Sequence, residues 1–210
     1  GYGFLSENAE FAKILEENNI QFLRGVSTGQ SSSGQVKRIQ IWNKALSPSK
    51  METESNCELP EQTKRCISTV EYNPASEKYA ASSIYGNYKM GWDHYGQPRV
   101  GARYCWRPAT NGAGKEWLQI DAGKVRSIAG LVTQGRGNYA RWVKTLKVQV
   151  SLKGKTWLWV ECGRIFNANK DSNTKAQVLF DYPVKARFVR IFQESCYYNC
   201  DLRAGLLLCE

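Results

Sequence analysis

One imidazole, seven thiols and a dense aromatic supply set the chemistry open to this chain. His94 is the single histidine of 210 residues and follows Trp92 and Asp93 in the run SIYGNYKMGWDHYGQPR at 83–99. A serine-hydrolase triad would have to draw its base from His94, and no Gly-x-Ser-x-Gly nucleophile turn occurs anywhere. No cysteine shows a paired histidine that would activate it as a nucleophile. Carboxylate pairs for glycoside hydrolysis are defined by spatial separation, so chance pairs among acidic residues carry no weight. Catalysis is therefore not expected. The remaining chemistry is that of recognition. Tyr88 and Trp92 sit in a Gly-punctuated loop, where an aromatic face can stack on a sugar or enter a lipid headgroup layer. The chain holds 7 Trp and 11 Tyr, enough for a core and a binding face together.

Charge is placed unevenly. Residues 1–65 carry eight Lys/Arg and eight Asp/Glu, so the net +10 lies wholly in 66–210. Such a surface attracts acidic lipid, sulfated or sialylated glycan, or nucleic acid, or is simply solvated. The cysteines are Cys57, Cys66, Cys105, Cys162, Cys196, Cys200 and Cys209, with no Cys-x-x-Cys spacing. Structural zinc needs close Cys/His pairs and is not expected. A disulfide framework in an oxidising compartment fits better, with an odd cysteine free or paired outside the chain. No apolar run is long enough to span a membrane. The chain starts at Gly1 and is expected to be a fragment or a processed product.

The elements that position these residues change character along the chain. Ser6 can cap a helix with Phe11, Ile14 and Leu15 on one face, followed by a short IQFL strand, so 1–24 reads as helix then strand. GVSTGQSSSGQ is a Gly/Ser-rich linker. VKRIQIWNKALSPS supplies one strand at 36–46, and METESNCELPEQTKR is a second linker, making 25–61 a connecting region. From Cys66 onward short strands alternate with turns. Leu146, Val148, Val150 and Leu152 alternate with polar residues at period two. IAGLVTQG, WLWVECG, KARFVRIF and LRAGLLLC read as further strands, with Gly154 in a turn. No helix-length amphipathic stretch follows Cys66, so an all-β sandwich or barrel is expected over 62–210.

Three resemblances can be placed on these residues. GYGFLSENAEF at the start is similar to a biotin carboxylase segment. It covers about two dozen residues, without the Gly-rich ATP loop, metal carboxylates or biotin-acceptor motif of that family, so carboxylase function is rejected. The 36–47 run resembles the last strand of laminin-G or pentraxin-like jelly rolls. The third covers nearly all of 66–210. YAASSIYG, GARYCWRPATNGAGKEWLQIDAG, IAGLVTQGRGNYARWVKTLKVQVS and ARFVRIFQES…DLRAGLLLC occur in the order of the discoidin, or coagulation factor 5/8 type C, domain.

That resemblance implies a distorted jelly roll of about eight strands, closed by a disulfide from the first cysteine to the last, here Cys66 and Cys209. It implies ligand loops at one end of the barrel. The first, at 83–99, brings Tyr85, Tyr88, Met90, Trp92, His94 and Tyr95. The second, QGRGNYAR, brings Arg136, Asn138, Tyr139 and Arg141. The third, FNANKDSNTKAQ, brings Asn169, Lys170, Asp171 and Asn173. The segment ESCYYNCDLR departs from the family pattern. Cys196 and Cys200 either pair locally, pinching Tyr197 and Tyr198 into a tip, or pair elsewhere. Cys105 and Cys162 are left as a candidate bridge, and Cys57 as the odd thiol. Trp106, Trp117 and Trp142 are expected to pack inside. Arg136 either braces its loop or meets ligand, and Arg187 and Arg190 are expected to be solvated or structural.

The expected function is a non-catalytic, extracellular adhesion module that binds glycan on a cell or matrix surface. Anionic phospholipid headgroups are the second expectation, and protein neighbours in a larger assembly the third. Nucleic acid is not an expected partner. No cofactor is required, although Asp171 with carbonyl oxygens offers ligands of the type calcium takes.

Overall fold

The computed structural model describes residues 66–110 and 114–210. The helix and strand expected over 1–24, the strand at 36–46 and Cys57 lie outside the described residues. Eight strands run in chain order: β1 Thr69–Tyr72, β2 Tyr79–Ala81, β3 Trp117–Gln134, β4 Trp142–Ser151, β5 Leu158–Trp159, β6 Phe166–Asn167, β7 Ala176–Tyr197 and β8 Arg203–Cys209. Helical backbone among the described residues is limited to two short 3-10 turns, Ser76–Lys78 and Val160–Gly163. The all-β expectation holds.

The sheet order is β1-β8-β3-β7-β4-β5, with β2 on β3 and β6 on β4, and every pairing is antiparallel. β3 and β7 are long because each turns a corner. Their register slips between Asp121 and Arg126, so the first half of β3 pairs with the second half of β7 and the reverse. Such bulges let one strand serve two faces of a sandwich. The runs WLQIDAG and IAGLVTQ, separate in the sequence reading, are thus one strand.

Burial follows strand phase. In β4, Val143 is buried, then Leu146, Val148 and Val150. The change of parity is absorbed by register shifts around Thr145. Leu152 continues the alternation in sequence but lies past the strand end, exposed. β8 lies between β1 and β3 and is buried along nearly its whole length, which is why RAGLLLC reads as a continuous apolar run. WLWVECG is not a strand throughout. Only Leu158–Trp159 pairs, because Glu161 and Cys162 take left-handed backbone angles (φ 46° and 60°) that no strand accommodates.

The first and last strands are neighbours, with Thr69 opposite Cys209, and the Cys66–Cys209 disulfide joins them. Cys196 and Cys200 bridge locally. The Cys105–Cys162 bridge is not formed. Cys105 is a buried free thiol, and Cys162 is disulfide-bonded. The reason is position: Cys105 lies in the interior beneath the first loop, hydrogen-bonded there to Asp201, whereas Cys162 lies exposed in the turn after β5. Burial, followed by the Asp201 carboxylate, pushes the Cys105 thiol well above its ordinary pKa. Native Cys105 is therefore expected to resist alkylation and to label only on unfolding, which iodoacetamide mass spectrometry along a urea gradient checks.

Trp106 is fully buried and its indole N–H donates to the Ser83 carbonyl. Trp117 and Trp142 are half-buried. Arg190 lies flat between Trp117 and Trp157, 4.0 and 3.8 Å from their ring centroids. Arg187 forms a two-pronged pair with Asp121, both contacts 2.9 Å. Of the two roles left open for these arginines, the structure assigns the structural one.

Candidate functional site

The ladders bring three loops to one end of the barrel. The second loop joins Gln134 of β3 to Trp142 of β4, and the third leads from β6 into Ala176 of β7, which pairs with Thr133 beside it. The first loop is anchored where it leaves β2. Glu116, just before β3, accepts hydrogen bonds from the hydroxyls of Ser82, Ser83 and Thr110. Burial alone would raise its carboxyl pKa, but these donors hold it below the usual range. Higher in the loop, Gly91 N–H donates to the Gly96 carbonyl and Cys105 N–H to the His94 carbonyl. A Cβ at Gly96 would stand 2.0 Å from the Lys89 carbonyl oxygen, so only glycine closes this turn.

Beneath the loops lies a buried charge cluster that sequence reading missed. Asp201 is fully buried and accepts from Arg107 Nε at 2.5 Å and Nη2 at 2.9 Å. Arg136 Nη1 stands 3.8 Å from the same carboxylate. Arg203, also buried, donates to the carbonyls of Gly135, Ala102 and Ser172. One guanidinium thus ties the second loop, the turn before Trp106 and the third loop together. A charged pair inside the apolar run DLRAGLLL was the available signal, since buried charges must be partnered.

Aromatic rings continue this cluster outward. Tyr95 lies between Arg107 and Arg136, at 4.6 and 4.7 Å, and meets Tyr85 and Tyr88 edge-on. His94 packs against Tyr104 and Tyr88. Arg136 also faces Tyr139 at 5.0 Å, and Arg141 covers Tyr139 at the same distance. The first and second loops therefore form one continuous surface. Its outermost rings are Trp92 (53% exposed) and Tyr139 (54%), with Tyr85 between half-exposed neighbours. Trp92 is not in the ring network; Lys89 Nζ lies 5.4 Å above it. Asp93, His94, Asn138 and Arg141 supply polar groups on the same two loops, all but Arg141 well exposed, and Lys170 is exposed on the third.

Two of the expected contact residues sit elsewhere. Arg136 and Asn169 are each only 3% exposed. Arg136 donates to Asn138 Oδ1, and Asn169 donates to the carbonyls of Thr133 and Thr174. Asn169 thereby satisfies backbone carbonyls from below, and Arg136 braces the side chain of Asn138 within its own loop. Asp171 uses Oδ1 to accept the N–H groups of Asn173 and Thr174 at 2.8 and 2.6 Å, and these bonds hold its carboxyl below the usual range. One of its carboxylate oxygens is thus committed to its own turn. Among the described residues no group of three or more His, Cys, Asp or Glu side chains is placed to hold a metal ion. Tyr197 stacks on Trp142 at 4.1 Å, and Tyr198 stands edge-on to it, largely exposed. The bridged tip therefore lies beside the start of β4, next to the second loop. Met90 is the last difference: it packs against the main core cluster instead of forming a tip.

Fold and loop geometry together define a class of extended-loop β sandwich, and comparison with known proteins places the chain within it. Residues 68–206 match the F5/8 type C domain; the chain belongs to that family. It is 34% identical to mouse (Mus musculus) lactadherin over 140 residues, covering 62% of this chain and 30% of that protein. It is 33% identical to dog (Canis lupus familiaris) coagulation factor VIII over 115 residues, 52% of this chain and 5% of that one. The chain thus spans about a third or less of these relatives. Discoidin II from Dictyostelium discoideum shares the fold at 20% identity, with a TM-score of 0.53 over 69% of this chain and 60% of that structure.

Proposed function

We propose that this domain is a non-catalytic recognition module that binds glycan on an extracellular surface through the first and second loops. The carrying observation is the chemistry of the exposed tips. Trp92, Tyr139 and Tyr85 present aromatic faces, each beside hydrogen-bonding or charged groups: Asp93 and His94, Asn138 and Arg141, Tyr88. A sugar ring uses both, stacking its apolar face and bonding its hydroxyls. Aromatic tips alone also suit a headgroup layer, but insertion is favoured by aliphatic tips beside them, and Ile84 and Met90 of the first loop both pack inward. Tyr95 and Tyr139 are also fixed before ligand arrives, since Arg107 and Arg136 hold them over Asp201. The disulfides fit an oxidising, extracellular setting.

Binding of the intact chain to a glycan array tests this reading. Trp92→Ala and Tyr139→Ala are each expected to weaken binding to the best glycan about tenfold, or about 1.4 kcal/mol, the upper part of the range an aromatic contact supplies. Array binding that neither substitution changes would sink the assignment. Salt-labile binding to phosphatidylserine vesicles through the same loops, driven by Lys89, Arg103, Arg141 and Lys170, would support the phospholipid reading instead.

A further inference from the structure

We infer that the opposite end of the barrel is a second contact face, one that seats on an anionic lipid bilayer. β4 runs from Trp142, beside the second loop, to Ser151, so the turn that follows lies about 30 Å from the recognition loops at the ordinary rise of a strand. There Val150, Leu152 and Leu158 line an open cleft of about 440 Å³, and Lys153, Lys155 and Lys185 stand around it. Leu152 and Leu158 are 54% and 67% exposed. The corner of β3 brings Lys124 and Val125, both exposed, to this same end, because Asp121, Phe188 and Ser151 stand side by side across the ladder.

Among the described residues, Lys124, Lys153, Lys155 and Lys185 form no ion pair. Lysine ion pairs among the described residues involve Lys147 and Lys175, and of the carboxylates at this end Asp121 is held by Arg187 and Glu210 accepts from the Ser68 hydroxyl. Four lysines around projecting leucines match the negative surface and apolar margin of an acidic membrane. The chemistry disfavours a sugar at this end. Trp157 is turned onto Arg190, Trp159 is partly exposed but leans on Phe192, and neither lines the cleft. Ser151 Oγ already accepts the Gly154 N–H. A bilayer needs neither plate nor hydroxyl partner, only apolar tips and a basic ring. This inference does not rest on the glycan reading, and a domain with both faces would link a membrane at one end to a glycan at the other.

Co-sedimentation of the intact chain with phosphatidylcholine vesicles, with and without phosphatidylserine, tests it. Three variants are compared: Lys153→Gln with Lys155→Gln, Leu152→Ser with Leu158→Ser, and Trp92→Ala with Tyr139→Ala. All six positions are at the surface, and circular dichroism checks that the fold is kept. Each lysine near an acidic surface is worth about fivefold in partitioning, so the lysine pair is expected to lower binding to the anionic vesicles about 25-fold. The leucine pair is expected to lower it about tenfold, and the loop pair to leave it unchanged. Absence of binding to phosphatidylserine vesicles would overturn the inference. So would binding that the loop pair abolishes and the lysine and leucine pairs do not affect. Glycan binding is expected to be untouched by the lysine and leucine pairs, so failure of either reading shows independently of the other.

Discussion

Replacing Asp201 by alanine is expected to lower the stability of the domain by about 3–5 kcal/mol, the range found when one partner of a buried ion pair is removed. Arg107 and Arg136 would be left in the interior with no carboxylate, at 2.5–2.9 Å and 3.8 Å in the native arrangement. The pair itself adds little net stability, because two charges lose their water to form it. The loss arises because the stranded guanidiniums cannot recover that water without opening the base of the loops. Asp201→Asn keeps the shape and one acceptor but removes the charge, and is expected to fall between alanine and the native protein. Urea unfolding midpoints measure both. Two further readouts report on the base of the loops. The Cys105 thiol, raised first by burial and next by Asp201, is expected to alkylate faster in Asp201→Asn. Glycan affinity is also expected to fall, since Arg136 no longer holds Tyr95 and Tyr139 in register.

The second large effect concerns the disulfides, which differ greatly in reach. Cys66–Cys209 closes a sequence separation of 143 and Cys196–Cys200 one of 4. In the chain-entropy relation the long closure restricts the unfolded ensemble by about 5 kcal/mol and the short one by about 2 kcal/mol. Against a usual domain stability of about 5–15 kcal/mol, loss of the long bridge is the more serious. Cys66→Ser with Cys209→Ser is expected to bring the domain close to unfolding at body temperature. Cys196→Ser with Cys200→Ser is expected to keep the fold and loosen only the Tyr197–Tyr198 tip. Calorimetric melting of the two double variants checks the order. Equal losses from both would show that the ends are held by strand pairing alone.

Much of the fold was legible because strand phase and turn chemistry are local. The period-two run in β4 and the apolar run of β8 identify themselves, and block order identifies the family. The corner in β3 and β7 was not legible, because a bulge is settled by pairing partners and not by residue type. The loops were placed through the family resemblance, and their tips through aromatic content. What the sequence did not reveal is which polar residues face inward. Arg136, Asn138 and Arg141 look alike in GRGNYAR, yet only the first is sealed beneath the rings, because Asp201 waits below it. Arg203 and Asp201 are separated from Arg107 and Ala102 by about a hundred positions, and no local pattern links them. Cys105 was misjudged for the same reason: a lone thiol beside a buried carboxylate has no signature along the chain.

The loop end is proposed to recognise sugar through aromatic faces beside polar groups. The most direct test is binding of the intact, oxidised chain to an array of neutral and acidic glycans at low and high salt. The account expects saturable binding to defined glycans that survives high salt and is lost in Trp92→Ala, because stacking and hydroxyl bonding are little screened. Binding confined to acidic probes, vanishing at high salt and indifferent to Trp92, would contradict it and leave only the attraction of a +10 protein for any anion.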